Sequence, residues 1–520
     1  MSREAAEGFL DFSAPKKLEY RFSSEPLFSP PASVVIEYRF NVLPDSADKI
    51  PTPVFEIGGA AWALPLPAGG ETLHYAIPVD DTFSGYFSVS LKDGADKQQA
   101  KKKESPRLQL RSIEFRDRWY GWDRHKDESG EHVFISPFVD IRRGENGVSL
   151  RLFDSWESFS AAPVDVPAGF FPALTAVLGT GKEAALEAGN LRFEALSGAE
   201  IIHIPAGMID SGTRPFIFSG DRAATLRLGY AKLPLFPAPL AADPGMVISW
   251  PVEHWRDRRY EVFRWEKFPS LLIFDTADYE VQDRLFKRLA FFVEKAGFRG
   301  RLAPDAEIAG LHGWNAHDYR ADDLARFFQA ARQADFSLLA EERELERILF
   351  NAGIIRAVGS GIQAGEGGII SISRESEDYL RGRFLSHEGF HGLFFIDNDF
   401  QDFCRGRWQL LDREAKRFIV SYFNYQRYDT ADEYLLINEF MAHILQQPVS
   451  QAGHYFGSVL PSRLEDSWRK ADLPDKDEAS GSWPILAAVF TEEARAFSAY
   501  VDKRWGLAAG RVNMVSVRQL

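Results

Sequence analysis

The sequence is short of cysteine, of positive charge and of long apolar runs. A single cysteine, Cys404, stands among 520 residues. That excludes an internal disulfide and a thiolate-rich zinc cluster. Lys and Arg number 61 against 75 Asp and Glu, a formal net charge of −14. A chain this acidic lacks the field that attracts phosphates, so no nucleic-acid partner is expected. The one compact basic run, Lys101-Lys102-Lys103, lies in the polar stretch 93–106 and reads as a solvated loop. No run of about 18 uncharged apolar residues occurs, which predicts no transmembrane segment. The opening residues, MSREAAEGFLDFSAPKKLEYRF, hold no apolar stretch of the kind a secretory signal needs. The expected location is cytoplasmic by default, or exported if an N-terminal leader has been trimmed.

Aromatic and aliphatic residues are plentiful. Hydrophobic residues make up 45% of the chain, with 42 Phe and 12 Trp, enough for ordinary globular cores. The length suggests about two to four domains. The first half carries short segments rich in β-branched and aromatic residues, broken by Gly, Pro, Asp and Asn. Examples are 33–41, 72–78, 85–91, 107–115, 132–141, 148–153, 190–196, 200–204, 215–218 and 225–230. This pattern predicts antiparallel β-sandwich modules, placed at 1–120 and 121–240. Trp119, Trp122 and Trp156 read as sandwich core, with sugar stacking as the alternative. The Pro-rich stretch 233–244 reads as a linker.

Beyond it, apolar residues recur at helical spacing, as in Leu285, Leu289, Phe292 and Val293. The expected fold class is therefore multidomain: all-β sandwich modules, then a mainly α (α+β) domain over 245–520. Helices are predicted over 281–296, 321–332, 338–352, 375–395, 408–425 and 431–447, the last ended by Pro448. A strand is expected over 270–276, and another over 368–373, just before the helix at 375–395. The second strand is expected to be an edge that pairs with an extended substrate. Gly-rich 359–368 is expected to be a mobile rim; no GK[ST] follows it, so it is not a phosphate loop.

The helix at 375–395 carries His387-Glu388-Gly389-Phe390-His391. Two histidines four apart share one helical face, with Cβ atoms about 5–6 Å apart. That spacing lets two imidazoles hold one zinc ion, and the Glu between them can act as general base on a water at the open side of the metal. Chance alone gives about 0.02 such patterns in a chain of this composition. The rival is an ordinary core helix, which would leave two histidines and a carboxylate on one buried face without partners. A catalytic zinc needs a third protein ligand. Glu439, in the apolar run Tyr434-Leu-Leu-Ile-Asn-Glu-Phe-Met-Ala-His443, is the best candidate. Its alternative is a salt bridge to an Arg of a neighbouring helix. His443, one turn on, is an alternative ligand, an outer partner or a core histidine. His454, Tyr455 and Arg463 are candidates for transition-state donors, with ordinary surface or core roles as the alternative. The cluster His312-Gly-Trp-Asn-Ala-His317-Asp318 reads as a turn, as a loop lining the cleft, or as a second metal site.

With HEGFH and a later Asn-Glu on a helix, residues 355–450 resemble the gluzincin branch of zincin metallopeptidases. The resemblance implies a zinc cofactor held by His387, His391 and Glu439, with Glu388 activating water against a peptide or protein substrate. Forty-seven residues lie between His391 and Glu439, nearer to neprilysin-like enzymes than to the thermolysin-like pattern. Those enzymes have an Asp four residues after the Glu, where this chain has His443. No GAMEN-like exopeptidase motif precedes HEGFH, and no third His follows at the metzincin spacing. The expected function is zinc-dependent peptide hydrolysis. The alternatives are an inactive zincin-fold binding or scaffold protein and a carbohydrate-binding β-module protein.

Overall fold

The structure, a computed structural model, describes residues 170–178, 184–209, 231–295, 297–311, 313–464 and 483–520, together with further strands in the first 230 residues. Lys101–Lys103, Trp119, Trp122, Trp156 and His312 lie outside the described residues. The fold is multidomain and mixed α+β. Two compact units divide the chain: Met1–Leu233 with Ser516–Leu520, and Pro234–Val515.

Among the described residues the first unit holds four sheets. Ala32–Phe40 pairs antiparallel with Thr72–Val79 and Arg107–Arg116, and Tyr86–Lys92 with Leu18–Arg21 and Thr52–Ile57. In a third sheet, Phe171–Leu178 lies between Ile201–Ile204 and Ala224–Ala231. Alternation explains these strands: Leu174 and Ala176 are fully buried while Val177 faces outward. The fourth sheet runs Ser158–Ala161, Phe216–Gly220, Ala184–Ala188, Leu191–Ala195, and then Val515–Gln519, the last returning from the far end of the chain.

The second unit is built on a five-stranded mixed sheet, in the order Leu240–Ala242, Tyr260–Trp265, Leu271–Thr276, Gly368–Ser373, His317–Arg320. Gly368–Ser373 runs parallel to Leu271–Thr276 and antiparallel to His317–Arg320. The strand expected at the edge is thus interior, and the edge belongs to His317–Arg320. All six residues of Gly368–Ser373 are buried, as an inner strand requires. The expected mobile rim is a β-hairpin, Ile355–Val358 with Gly361–Ala364, turning at Gly359 with φ 58°.

One face of the sheet presents Val262, Leu272 and Phe274 to the helices Tyr279–Val293, Ala321–Gln333 and Ala340–Ala352, which contribute Phe286, Phe327 and Leu349. On the other face lies the helix Asp378–Ile396. A Cβ on its Gly392 would sit 2.9 Å from Leu271 Cδ1, so the glycine lets helix and sheet approach closely. The helix expected over 408–425 is two helices, Asn398–Leu410 and Arg413–Tyr425. Asp412 separates them by capping the second, accepting from the backbone N–H of Glu414 at 2.8 Å. Pro448 precedes a further short helix, Val449–His454. No described helix is long and apolar enough to cross a membrane.

Candidate metal centre

The helix Asp378–Ile396 is anchored two turns before its histidines. Arg381 is buried and donates to Asp275 Oδ2 of the central strand at 3.1 Å; Arg374 donates to the same oxygen at 2.7 Å. A carboxylate fully withdrawn from water needs such countercharges. Beyond this anchor the helix is apolar on nearly every side, and Leu385, Phe390, Leu393 and Phe394 are all buried. His387 and His391 point the same way, as four-residue spacing requires, and their Nε2 atoms lie 3.1 Å apart.

Glu439 comes from a second helix, Glu433–Leu445. Asp432 caps it, accepting from the N–H of Tyr434 at 2.9 Å and of Leu435 at 3.4 Å. Every residue from Leu436 to Leu445 is buried, so this stretch runs through the core and its one acidic side chain, Glu439, must meet something inside. It meets the two histidines: Glu439 Oε2 is 3.7 Å from His387 Nε2, and Oε1 is 3.8 Å from His391 Nε2.

The three side chains fit a zinc ion. Two donors about 2.0–2.1 Å from one tetrahedral zinc stand roughly 3.3 Å apart; the observed separations of 3.1, 3.7 and 3.8 Å bracket that value. Glu439 Oε2, His387 Nδ1 and His391 Nδ1 are buried without a hydrogen-bond partner. A hydrogen bond between the imidazoles would satisfy one nitrogen and still leave Glu439 Oε2 without a donor; a cation resolves this. Burial pushes the His387 pKa down to about 4, keeping the imidazole neutral as a ligand must be. Burial pushes Glu439 up to about 7, against the pull of His391. A carboxylate strained in this way gains from a metal.

Glu388 lies beside the trio and is also buried. Burial raises its pKa well above the usual range, and the neighbouring carboxylates Asp318, Glu439 and Glu294 raise it further. Donor atoms of Asp318, Glu388 and His391 lie within 4.8 Å of one another, a second group of metal-ligating type. Asp318 stands on the edge strand His317–Arg320. Glu294, directly after the helix Tyr279–Val293, accepts from Trp314 Nε1 at 2.8 Å.

His387, Glu388, Glu439, Asp318 and Glu294 border a cavity of about 390 Å³, and His391 lies behind its wall. His443 and Tyr455 line it too. His443 Nδ1 lies 2.8 Å from Tyr455 Oη and 3.2 Å from Gln446 Nε2, so these neighbours orient its ring. His443 belongs to neither metal-ligating group. Arg463 also lines the cavity and donates to Tyr422 Oη at 3.2 Å. His454 is exposed and forms no part of this wall.

Sequence reasoning assigned no role to Glu294 or Tyr428 and left Asp318 in a loop of several readings. Glu294 ends an ordinary amphipathic helix, and Tyr428 sits in a polar connection. Neither carries a local signal; only the tertiary fold brings them to the candidate site. No protein-family model and no curated protein matches this chain.

Proposed function

We propose that the chain is a zinc-dependent peptidase whose zincin-like catalytic domain is the unit Pro234–Val515. The observation that carries the reading is the convergence of His387, His391 and Glu439 beside a cavity that Glu388 also lines. Zinc, when bound, lowers the pKa of a coordinated water to about 7 and polarises a carbonyl.

The remaining work falls to the protein. Glu388 takes the proton of the attacking water and returns it to the departing amine nitrogen. Its low-dielectric surroundings make it a stronger proton acceptor than an exposed carboxylate. His443 and Arg463 place hydrogen-bond donors on the cavity wall, where negative charge develops on the carbonyl oxygen. The edge strand His317–Arg320 pairs on one side with Gly368–Ser373, and its other side can align an extended peptide.

The test combines metal analysis with a peptide library. The expected result is about one zinc per chain, cleavage by the native protein, and lost cleavage with retained zinc and fold in Glu388→Gln. A purified protein that takes up no zinc on reconstitution overturns the reading. Zinc uptake with no cleavage across the library would leave a binding protein.

A further inference from the structure

We propose that the cavity takes short peptides by both charged ends, which makes the enzyme a hydrolase of di- and tripeptides with free termini. The proposal rests on the zinc-peptidase reading and concerns the substrate that the same site accepts.

The cavity is divided by charge. On one wall stand Asp318 and Glu294, two carboxylates beyond the three ligands and the base that the chemistry uses. Neither forms an ion pair with a described residue. Asp318 stands with Glu388 and His391, their donor atoms within 4.8 Å of one another, and Glu294, Asp318 and Glu439 also border a second, smaller cavity together. Trp314 and Tyr428 stack on the same wall, ring centroids 5.6 Å apart. The Lys295 ammonium already lies over Trp314, 3.1 Å from the ring centroid, so a ligand's ammonium depends on the carboxylates of this wall.

The other wall is basic. Arg383 and Arg463 line the cavity near Tyr455, and Arg463 acts also on His443. Arg383 makes no hydrogen bond or ion pair with the described residues. A guanidinium facing a cavity without an acceptor suits a carboxylate, which it can grip through two parallel N–H groups. Arg383 lies one turn before His387 on its helix and Asp318 lies by His391, one turn after it, so basic and acidic side chains flank the hydrolytic centre.

A peptide with free ends has the matching pattern. Its ammonium meets Asp318 and Glu294, its carboxylate meets Arg383, and the bond between lies at Glu388. The cavity volume of about 390 Å³ falls in the small-molecule range rather than that of a long groove. A blocked or internal segment leaves the wall charges desolvated and unpaired, which weakens binding sharply.

Calorimetry with the zinc-loaded Glu388→Gln protein tests this without turnover. The probes are leucyl-leucine, N-acetyl-leucyl-leucine and leucyl-leucine amide. The expected result is that each blocked form binds at least about tenfold more weakly than the free dipeptide. Arg383→Ala should erase the difference between acid and amide, and Asp318→Asn the difference between free and acetylated forms. Wild-type protein should cleave leucyl-leucine faster than an acetylated, amidated pentapeptide. Equal binding of free and blocked dipeptides, or faster cleavage of the blocked pentapeptide, overturns the proposal. In that outcome bound zinc and Glu388-dependent cleavage leave the peptidase reading standing, whereas a protein without zinc fails at the earlier step.

Discussion

Glu439 Oε2 stands 3.7 Å from His387 Nε2, and the two residues reach each other from separate buried helices. Each helix is held independently of the site: Arg381 ties one to Asp275, and Asp432 caps the other and pairs with Arg299. The donors are therefore placed before any ion arrives.

Zinc should stabilise the folded protein. Binding to the native state alone adds about 2.7 kcal/mol at a hundredfold excess over Kd. Scanning calorimetry should show a melting temperature that rises with zinc and falls on chelation. Glu439→Ala should lose most of that rise. An identical zinc response in wild type and Glu439→Ala would remove Glu439 from the ligand set.

Glu388→Gln should cut kcat/KM at least about a hundredfold, within the range for a positioned general base. Zinc content and melting temperature should stay close to wild type, because Gln keeps the shape while losing the proton site. A variant with intact turnover would assign the base elsewhere.

The metal-free protein should become less stable as pH rises from about 4.5 toward 7. Glu439 is raised to about 7, and Glu294 and Glu388 are raised as well. A carboxyl with a raised folded pKa binds more protons folded than unfolded, so its contribution is lost as pH climbs to the folded value. His387, lowered to about 4, acts in the opposite sense between about 4 and 6.5. Among the described residues three histidines, His203, His387 and His443, are lowered and six carboxyls, Asp243, Glu266, Asp275, Glu294, Glu388 and Glu439, are raised, so the net slope is downward. Chemical denaturation of chelated protein at pH 5 and pH 7.5 checks the sign, and zinc should recover stability most at the higher pH. Greater stability of the chelated protein at pH 7.5 would contradict the assignment.

Arg381→Met should cost about 3–5 kcal/mol, because it leaves Asp275 buried with one countercharge fewer. Arg405→Ala, which removes an exposed ion pair with Asp402, should cost less than about 1 kcal/mol. Urea melts of the two variants make the comparison, and similar losses would show that the Asp275 network is not the anchor described.

Gly353→Ala should destabilise by about 1 kcal/mol. Gly353 ends the helix Ala340–Ala352 at φ 76°, and a Cβ there would meet nothing within 4 Å. The cost is thus one of backbone conformation rather than of a clash. No change in the urea midpoint would remove that explanation.

Legibility in the sequence followed the range of the interaction. His387, Glu388 and His391 were readable because one helical turn fixes their relation. Glu439 was readable because an acid in an unbroken apolar run must meet a cation or a donor. Asp318 was left with several readings and Glu294 with none, since sheet order brings the first to the site and helix packing the second. The same cause misplaced the edge. Gly368–Ser373 directly precedes the motif helix in sequence, but His317–Arg320, made earlier in the chain, adds outside it. The single helix expected over 408–425 failed for a local reason: apolar spacing continues through Leu410 and Leu411, and the capping Asp412 interrupts it.

The strand Val515–Gln519 completes the sheet of Leu191–Ala195 only after the whole second unit has been made. At ribosomal rates of about 5–20 residues per second, that interval is on the order of tens of seconds. During it Leu191–Ala195 stands with one hydrogen-bonding side bare, open to mispairing with another nascent chain. Folding in the cell is thus tied to the timing of translation, and slow synthesis through the second unit would lengthen the period in which a chaperone has to shield that strand.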